Sequence, residues 1–437
     1  MDKKTAYANE LVKLIKVNTV TGIGNENFAE FRSVLKEVFP SLHEKCEIRI
    51  LGENALLYKW TGKSNEKPIV LMGHQDVVPC DDGDWKYPPF EGVIEDGRIW
   101  GRGAMDCKNT LYACMKAVDE LISEGFVPDY DVYIACSDNE ETSGNGAPSI
   151  VNYLKDKGIR PYIVLDEGGA ILPEPFPGMT KPYAMIGVLE KGYADIKFTA
   201  RCKGGHSSSP PKNTPIARLS QFVTEVENSK IFKKKMEPEV EEMLGEMSKA
   251  MTGPIKFLLG HLNVFKPIVT WALPKVSPYG NALLSTTMVF TMSKASSAAN
   301  VIPQEASVTA NLRFIPHQGV DESLQALKAI ADKYDIETEV LNARNAMPPV
   351  STKSDGYKLL TDTVKEVFPE IGIAPYVIMG GTDCRHFQEI SDCAMRFTPM
   401  LLHPDQMASM HASNESLDID TLYDGVQFMR KLIQANK

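Results

Sequence analysis

The chain has 437 residues, 43% hydrophobic and 24% charged, with a formal net charge of -10. That length exceeds one ordinary core, so two domains are expected, and the composition is that of a soluble globular protein. The acidic balance argues against nucleic acid and anionic membrane surfaces as partners, leaving room only for a local basic patch.

Met1–Thr19 has an amphipathic helix pattern that contains acidic residues, without the apolar stretch or small-residue cleavage site of a secretory leader. No uninterrupted apolar run is long enough to span a bilayer. The eight cysteines are scattered and include no Cys-x-x-Cys pair, which points to a cytoplasmic protein with unbridged thiols.

In chain order, apolar stripes (Leu11, Leu14, Ile15; then Phe28, Phe31, Val34, Leu35) predict two helices between Thr5 and Phe39. Glu47–Trp60 reads as two short strands around Gly52-Glu53-Asn54. Val70–Met72 is an apolar strand that turns at Gly73 and is followed by His74 and Asp76. An imidazole and a carboxylate just past a strand end suit a ligand and the group that orients it, although a polar turn after a core strand reads the same way. A loop with Asp81, Asp82, Trp85, Pro88 and Pro89 leads to GRGAMDCKNT, in which Asp106 opens a helical pattern through Leu111, Cys114, Met115, Val118 and Leu121. Taken alone, Asp106 would be a helix cap.

Val132–Ala135 and Pro161–Leu165 are two more apolar runs, ending in SDNEETSGNG (Asp138, Glu140, Glu141) and in Asp166-Glu167-Gly168-Gly169. Apolar runs that alternate with helical patterns and end in acidic residues predict an α/β sheet with a site at the strands' carboxyl ends. From about 187 the pattern changes. A half-exposed strand from Tyr193 precedes GGHSSSP with His206, then a helix covers about Thr214–Glu227. Residues 229–290 resist assignment. A strand over Ala306–Phe314, a helix over Asp321–Tyr334 and a strand over Thr338–Leu341 complete a small sandwich. Residues 187–346 are therefore expected to form an inserted domain, with 1–186 and 347–437 as the discontinuous main domain. The α/β pattern resumes with a helix at Tyr357–Phe368, a strand ending near Met379, the motif GGTDCRHF, and His411 in HASNES before a closing helix.

His74, Asp106, Glu140, Glu141, Asp166 and His411 form a set. Two imidazoles with several carboxylates suit zinc first, with cobalt or manganese as alternatives, and a shared carboxylate would hold two ions about 3.5–4 Å apart. The motifs GHQDVVP, GRGAMDCK, DNEETSG, LDEGG, GGHSSSP, NVIP, GGTDCRHF and HASNE, in this order from about residue 70 to 415, resemble those of the di-zinc amidohydrolase family. That family includes carboxypeptidase S, aminoacylase, succinyl-diaminopimelate desuccinylase and glutamate carboxypeptidase, and DEGG with GGTDCRHF is most similar to the carboxypeptidase S-like branch.

The resemblance implies a zinc-peptidase-like mixed sheet flanked by helices, with an inserted α+β sandwich as lid and dimer contact. It implies one metal on His74, Asp106 and Asp166, and a second on Asp106, Glu141 and His411. Asp76 would orient His74, and Glu140 would take the proton of a water bridging the metals. It also implies a cis peptide at Asp106–Cys107, a role for His206 at the oxyanion, reached from the partner chain, and substrate-carboxylate contacts from Asn300 and Arg385. The expected activity is hydrolysis of the amide next to a C-terminal amino acid, in a dipeptide, short peptide or N-acyl amino acid, by a homodimer. The competing expectation is an inactive relative that binds an amino-acid derivative.

Overall fold

The computed structural model describes residues 2–80 and 83–437; Asp81 and Asp82 of the expected loop lie outside the described residues. A large mixed sheet runs, in spatial order, through Glu47–Leu51, Ala55–Trp60, Tyr130–Cys136, Ser64–Met72, Ile163–Asp166, Ala394–Arg396, Tyr183–Glu190 and Gly372–Ile378. Ser64–Met72 pairs in parallel with both Tyr130–Cys136 and Ile163–Asp166. Strands covered on both faces have no solvent side to alternate towards, which is why Val70, Leu71 and Met72 read as an unbroken apolar run and are all buried.

These three parallel neighbours end side by side, at Met72, Cys136 and Asp166. The residues after them are those with catalytic chemistry, at the place where such sheets collect ligands. The helix Lys108–Ser123 packs on this sheet, and its first turn comes close to the strand end. A Cβ on Gly73 would sit 2.9 Å from the Leu111 backbone N, so glycine is what allows the approach. The peptide Asp106–Cys107 just before that helix is cis.

The smaller sheet is antiparallel, in the order Thr287–Lys294, Glu305–Phe314, Gly192–Arg201, Ile336–Arg344. With helices Pro215–Asn228 and Val320–Ala331 it has its own core, which includes Phe198, Phe222, Phe314 and Leu327.

Two details depart from the expected division at 187 and 346. Tyr183–Glu190 is buried throughout and belongs to the large sheet, so the chain leaves that sheet after Glu190. Residues 229–290 hold four helices, Pro238–Ser248, Gly253–Gly260, Leu262–Val276 and Pro278–Leu284. Their buried residues, among them Met243, Leu244 and Met247, pack into the core of the large sheet with Tyr183 and Met185.

Candidate metal centre

Asp106 lies at the middle of the cluster. Its Oδ1 is 3.0 Å from His74 Nε2, and its Oδ2 is 2.9 Å from His411 Nε2. It does not cap its helix: the N-cap position belongs to Cys107 and has no side-chain cap bond. His411 Nε2 is also 3.2 Å from Glu141 Oε2. Asp106, Glu141 and His411 thus offer three donor atoms to one point, and His74 with Asp106 offers two to another.

Each of these groups is positioned by a second one. His74 Nδ1 is 2.8 Å from the Asp76 carbonyl oxygen and 3.4 Å from its carboxylate, which leaves Nε2 facing the site. The Asp76 carboxylate accepts from the backbone N–H of Glu140 and of Glu141, each at 3.1 Å, and from Thr21 Oγ1 at 2.8 Å. Asp76 therefore positions both halves of the acidic turn as well as the imidazole. Glu415 is fully buried and accepts from the N–H of Gly103 (3.0 Å), Met105 (2.7 Å) and Asp106 (2.9 Å), and from Arg102 Nη1 (2.8 Å). It fixes the loop that presents Asp106. Nothing in the sequence marks this role, because its partners are mostly backbone donors, which carry no residue identity.

The electrostatics are those of a site with too many anions. Burial, reinforced by Asp383, Glu141 and Asp106, pushes the Glu140 carboxyl up to about 9. Hydrogen bonds to Asp106 and Glu141 raise the His411 imidazole to about 10. Glu141 Oε1 is buried without a hydrogen-bond partner. An orphaned carboxylate oxygen and mutually repelling acids are what a cation would resolve. Cys107 Sγ also lies near His74 and Asp106, but burial holds the thiol well above its ordinary range, and it hydrogen-bonds the His74 N–H.

Asp166 is buried at its strand end, within electrostatic reach of His74. Its Oδ1 accepts from the Glu167 N–H at 2.9 Å and its Oδ2 from the Cys384 N–H at 2.8 Å, and each oxygen keeps a second lone pair. Glu167 follows it in the chain: burial, then the charges of Asp106, Asp166 and Glu140, hold its carboxyl well above its ordinary range. Asp383, raised to about 7 by burial and Asp166, has Oδ2 buried and unpartnered beside the same site.

His206 and Asn300 are exposed on the smaller domain. His206 Nδ1 is 2.8 Å from Ser208 Oγ, and the Ser207 N–H donates to the Asn300 carbonyl at 3.1 Å, so the two travel together. Among the described residues neither forms a hydrogen bond or ion pair with the cluster. Arg385 is buried, with Nη1 donating to the Thr382 carbonyl at 2.6 Å and Nη2 3.9 Å from Asp383 Oδ1.

Imidazoles and carboxylates converging past the parallel strands of a mixed sheet define a metallohydrolase class of protein. Residues 70–435 match the model of Peptidase family M20/M25/M40, and the chain belongs to that family. It is 35% identical over 413 residues to probable carboxypeptidase S-like 2 of Dictyostelium discoideum, covering 93% of this chain and 79% of the relative. It is 32% identical over 443 residues to human N-fatty-acyl-amino acid synthase/hydrolase PM20D1, covering 99% and 88%. Carboxypeptidase S of Saccharomyces cerevisiae is 28% identical over 463 residues, covering 93% and 78%. The fold matches the M20 family metallo-carboxypeptidase of Sulfolobus solfataricus with a TM-score of 0.72 at 19% identity, covering 100% of this chain and 99% of that one. Family membership and the donor set imply divalent metal ions. No helix among the described residues is long and apolar enough to cross a membrane.

Proposed function

We propose that this peptidase-family hydrolase cleaves the amide bond next to a C-terminal amino acid, in dipeptides, short peptides or N-acyl amino acids. The observation that carries the reading is the Asp106 carboxylate shared between two imidazoles, 3.0 Å from one and 2.9 Å from the other, with Glu140 beside it. His74, Asp106 and Asp166 would hold one ion and Asp106, Glu141 and His411 the other. Zinc suits this donor set first, then cobalt or manganese. Bound there, the ions would acidify a water molecule and polarise the amide carbonyl.

Glu140 is the general base. Its backbone is fixed by Asp76, and positive charge in the cluster would relieve the repulsion that raises its carboxyl, bringing it into the working range of a base at neutral pH. It takes a proton from the attacking water and returns it to the leaving nitrogen. His206 supplies a donor to the oxyanion from the lid, and its exposure suits a group that meets the site only across a dimer or after closure. Asn300 beside it and Arg385 from the main domain would take the substrate's carboxylate, the guanidinium as a two-pronged donor. The large-sheet domain acts as the catalytic domain, and the smaller antiparallel sheet with its helices Pro215–Asn228 and Val320–Ala331 as the lid and dimer contact, in a cytoplasmic homodimer with no nucleic-acid partner.

The test is a panel of dipeptides and N-acyl amino acids, each with a free and an amidated C-terminus, assayed with metal and with chelator. Free-carboxylate substrates should be cut only with metal, and amidated analogues should lose about tenfold or more. Equal rates on amidated analogues would remove Asn300 and Arg385 from substrate binding.

A further inference from the structure

From Met247 to Gln304 the chain carries five lysines and neither Asp nor Glu, inside a molecule of net charge -10. This stretch includes the helices Gly253–Gly260 and Leu262–Val276. On the second helix, Leu262, Val269 and Leu273 face the core. Val264, Ile268 and Trp271 form another apolar stripe at i, i+4 and i+7, and they are 65%, 53% and 66% exposed. Phe257 on the first helix is 59% exposed, and its ring centroid lies 5.6 Å from that of Phe265 on the second, which joins the two helices into one patch. A helix apolar on both faces has more apolar surface than its own core uses.

The rim of this patch is basic. The Lys275 ammonium lies 3.4 Å from the Trp271 ring centroid. Beside Trp271, a cavity of about 470 Å³ is lined by Lys234, Lys235, Lys266 and Lys275. Lys235 pairs with Glu237 and Lys266 with Glu241. Among the described residues Lys234, Lys256 and Lys275 form no ion pair with a carboxylate, which leaves them to meet an external anion.

We propose that this helical pair docks the chain on an anionic phospholipid surface, with Phe257, Val264, Ile268 and Trp271 in the interfacial layer and the lysines on lipid phosphates. Charge selects this occupant. A second copy meeting the patch symmetrically would set lysine against lysine, and the rim carboxylates Glu237 and Glu241 are already paired with Lys235 and Lys266. A lone apolar chain would cover the stripe and leave the lysines without a counter-charge. Apolar and aromatic residues beside lysine are the composition of helices that lie in the membrane interface. The acidic balance of the whole chain does not oppose this, because the patch is the local basic exception. The inference does not depend on the metal centre.

The test floats the full-length chain with vesicles of phosphatidylcholine, alone or mixed with phosphatidylserine. The chain should float with the mixed vesicles, show a blue shift in tryptophan emission, and be released by salt. Trp271→Ala combined with Ile268→Ser, and separately Lys256→Glu combined with Lys275→Glu, should each lower partitioning by about tenfold or more. Both should leave hydrolysis of a small water-soluble substrate at the wild-type rate. Three results would overturn the proposal: no flotation, flotation independent of phosphatidylserine and of both variants, or a wild-type dimer that Trp271→Ala dissociates, which would assign the patch to a second copy.

Discussion

The metal cradle and the two-stranded ribbon that pairs Gly205–His206 with Val301–Ile302 are built in opposite ways. In the cradle three carboxylates are tied to the backbone: Asp76 by two N–H groups, Asp166 by two, Glu415 by three and an arginine. In the ribbon, His206 is exposed, and among the described residues its only side-chain partner is the neighbouring Ser208. The difference follows from electrostatics. Carboxylates that repel one another hold a geometry only when the backbone fixes them. An imidazole that completes a site from another surface needs no such support until it arrives.

This contrast can be broken from either side. Glu140→Gln keeps the shape of the acidic turn and removes the base, so kcat should fall by roughly 10³-fold with metal content unchanged. Near-normal turnover would put the base elsewhere. His206→Ala should cost about 10²-fold in kcat and leave metal content alone. If the histidine acts across a dimer, mixing this variant with Glu140→Gln should restore activity above that of either alone, and absence of complementation would confine His206 to its own chain. Asp166→Asn should weaken metal binding by roughly 10–100-fold in equilibrium dialysis, more than Glu167→Gln does. The reverse order would take Asp166 out of the ligand set.

The smallest effect is on pH dependence. The metal-free protein holds a proton on His411 up to about pH 10, because Asp106 and Glu141 favour the imidazolium. An ion must displace that proton, so apparent affinity should rise with pH through the neutral range and level off near pH 10, by up to about tenfold per unit. Calorimetry in buffers of different ionisation enthalpy should detect the released proton. Binding that weakens as pH rises would contradict the assignment of His411 as a ligand.

Much of this arrangement was legible in the sequence. Buried parallel strands leave apolar runs with acids after them, so the ends at Met72, Cys136 and Asp166 could be placed, and the motif order brought His74, Asp106, Glu141 and His411 together. What escaped was decided by single residues or by the backbone. Glu415 binds backbone donors that have no signature. Residues 229–290 gave no helical period because Leu262–Val276 is apolar on two faces and carries Pro267 and Pro274 within it. The boundary at 187 fell inside Tyr183–Glu190 because a fully buried strand shows no alternation.

The central claim is a shared-carboxylate metal centre, and the most direct measurement is elemental analysis of the purified chain after dialysis against zinc and a wash. The wild-type chain should retain about two ions, and the Glu141→Ala variant about one. A folded wild-type chain that retains none, or a variant that retains as much as wild type, would contradict it.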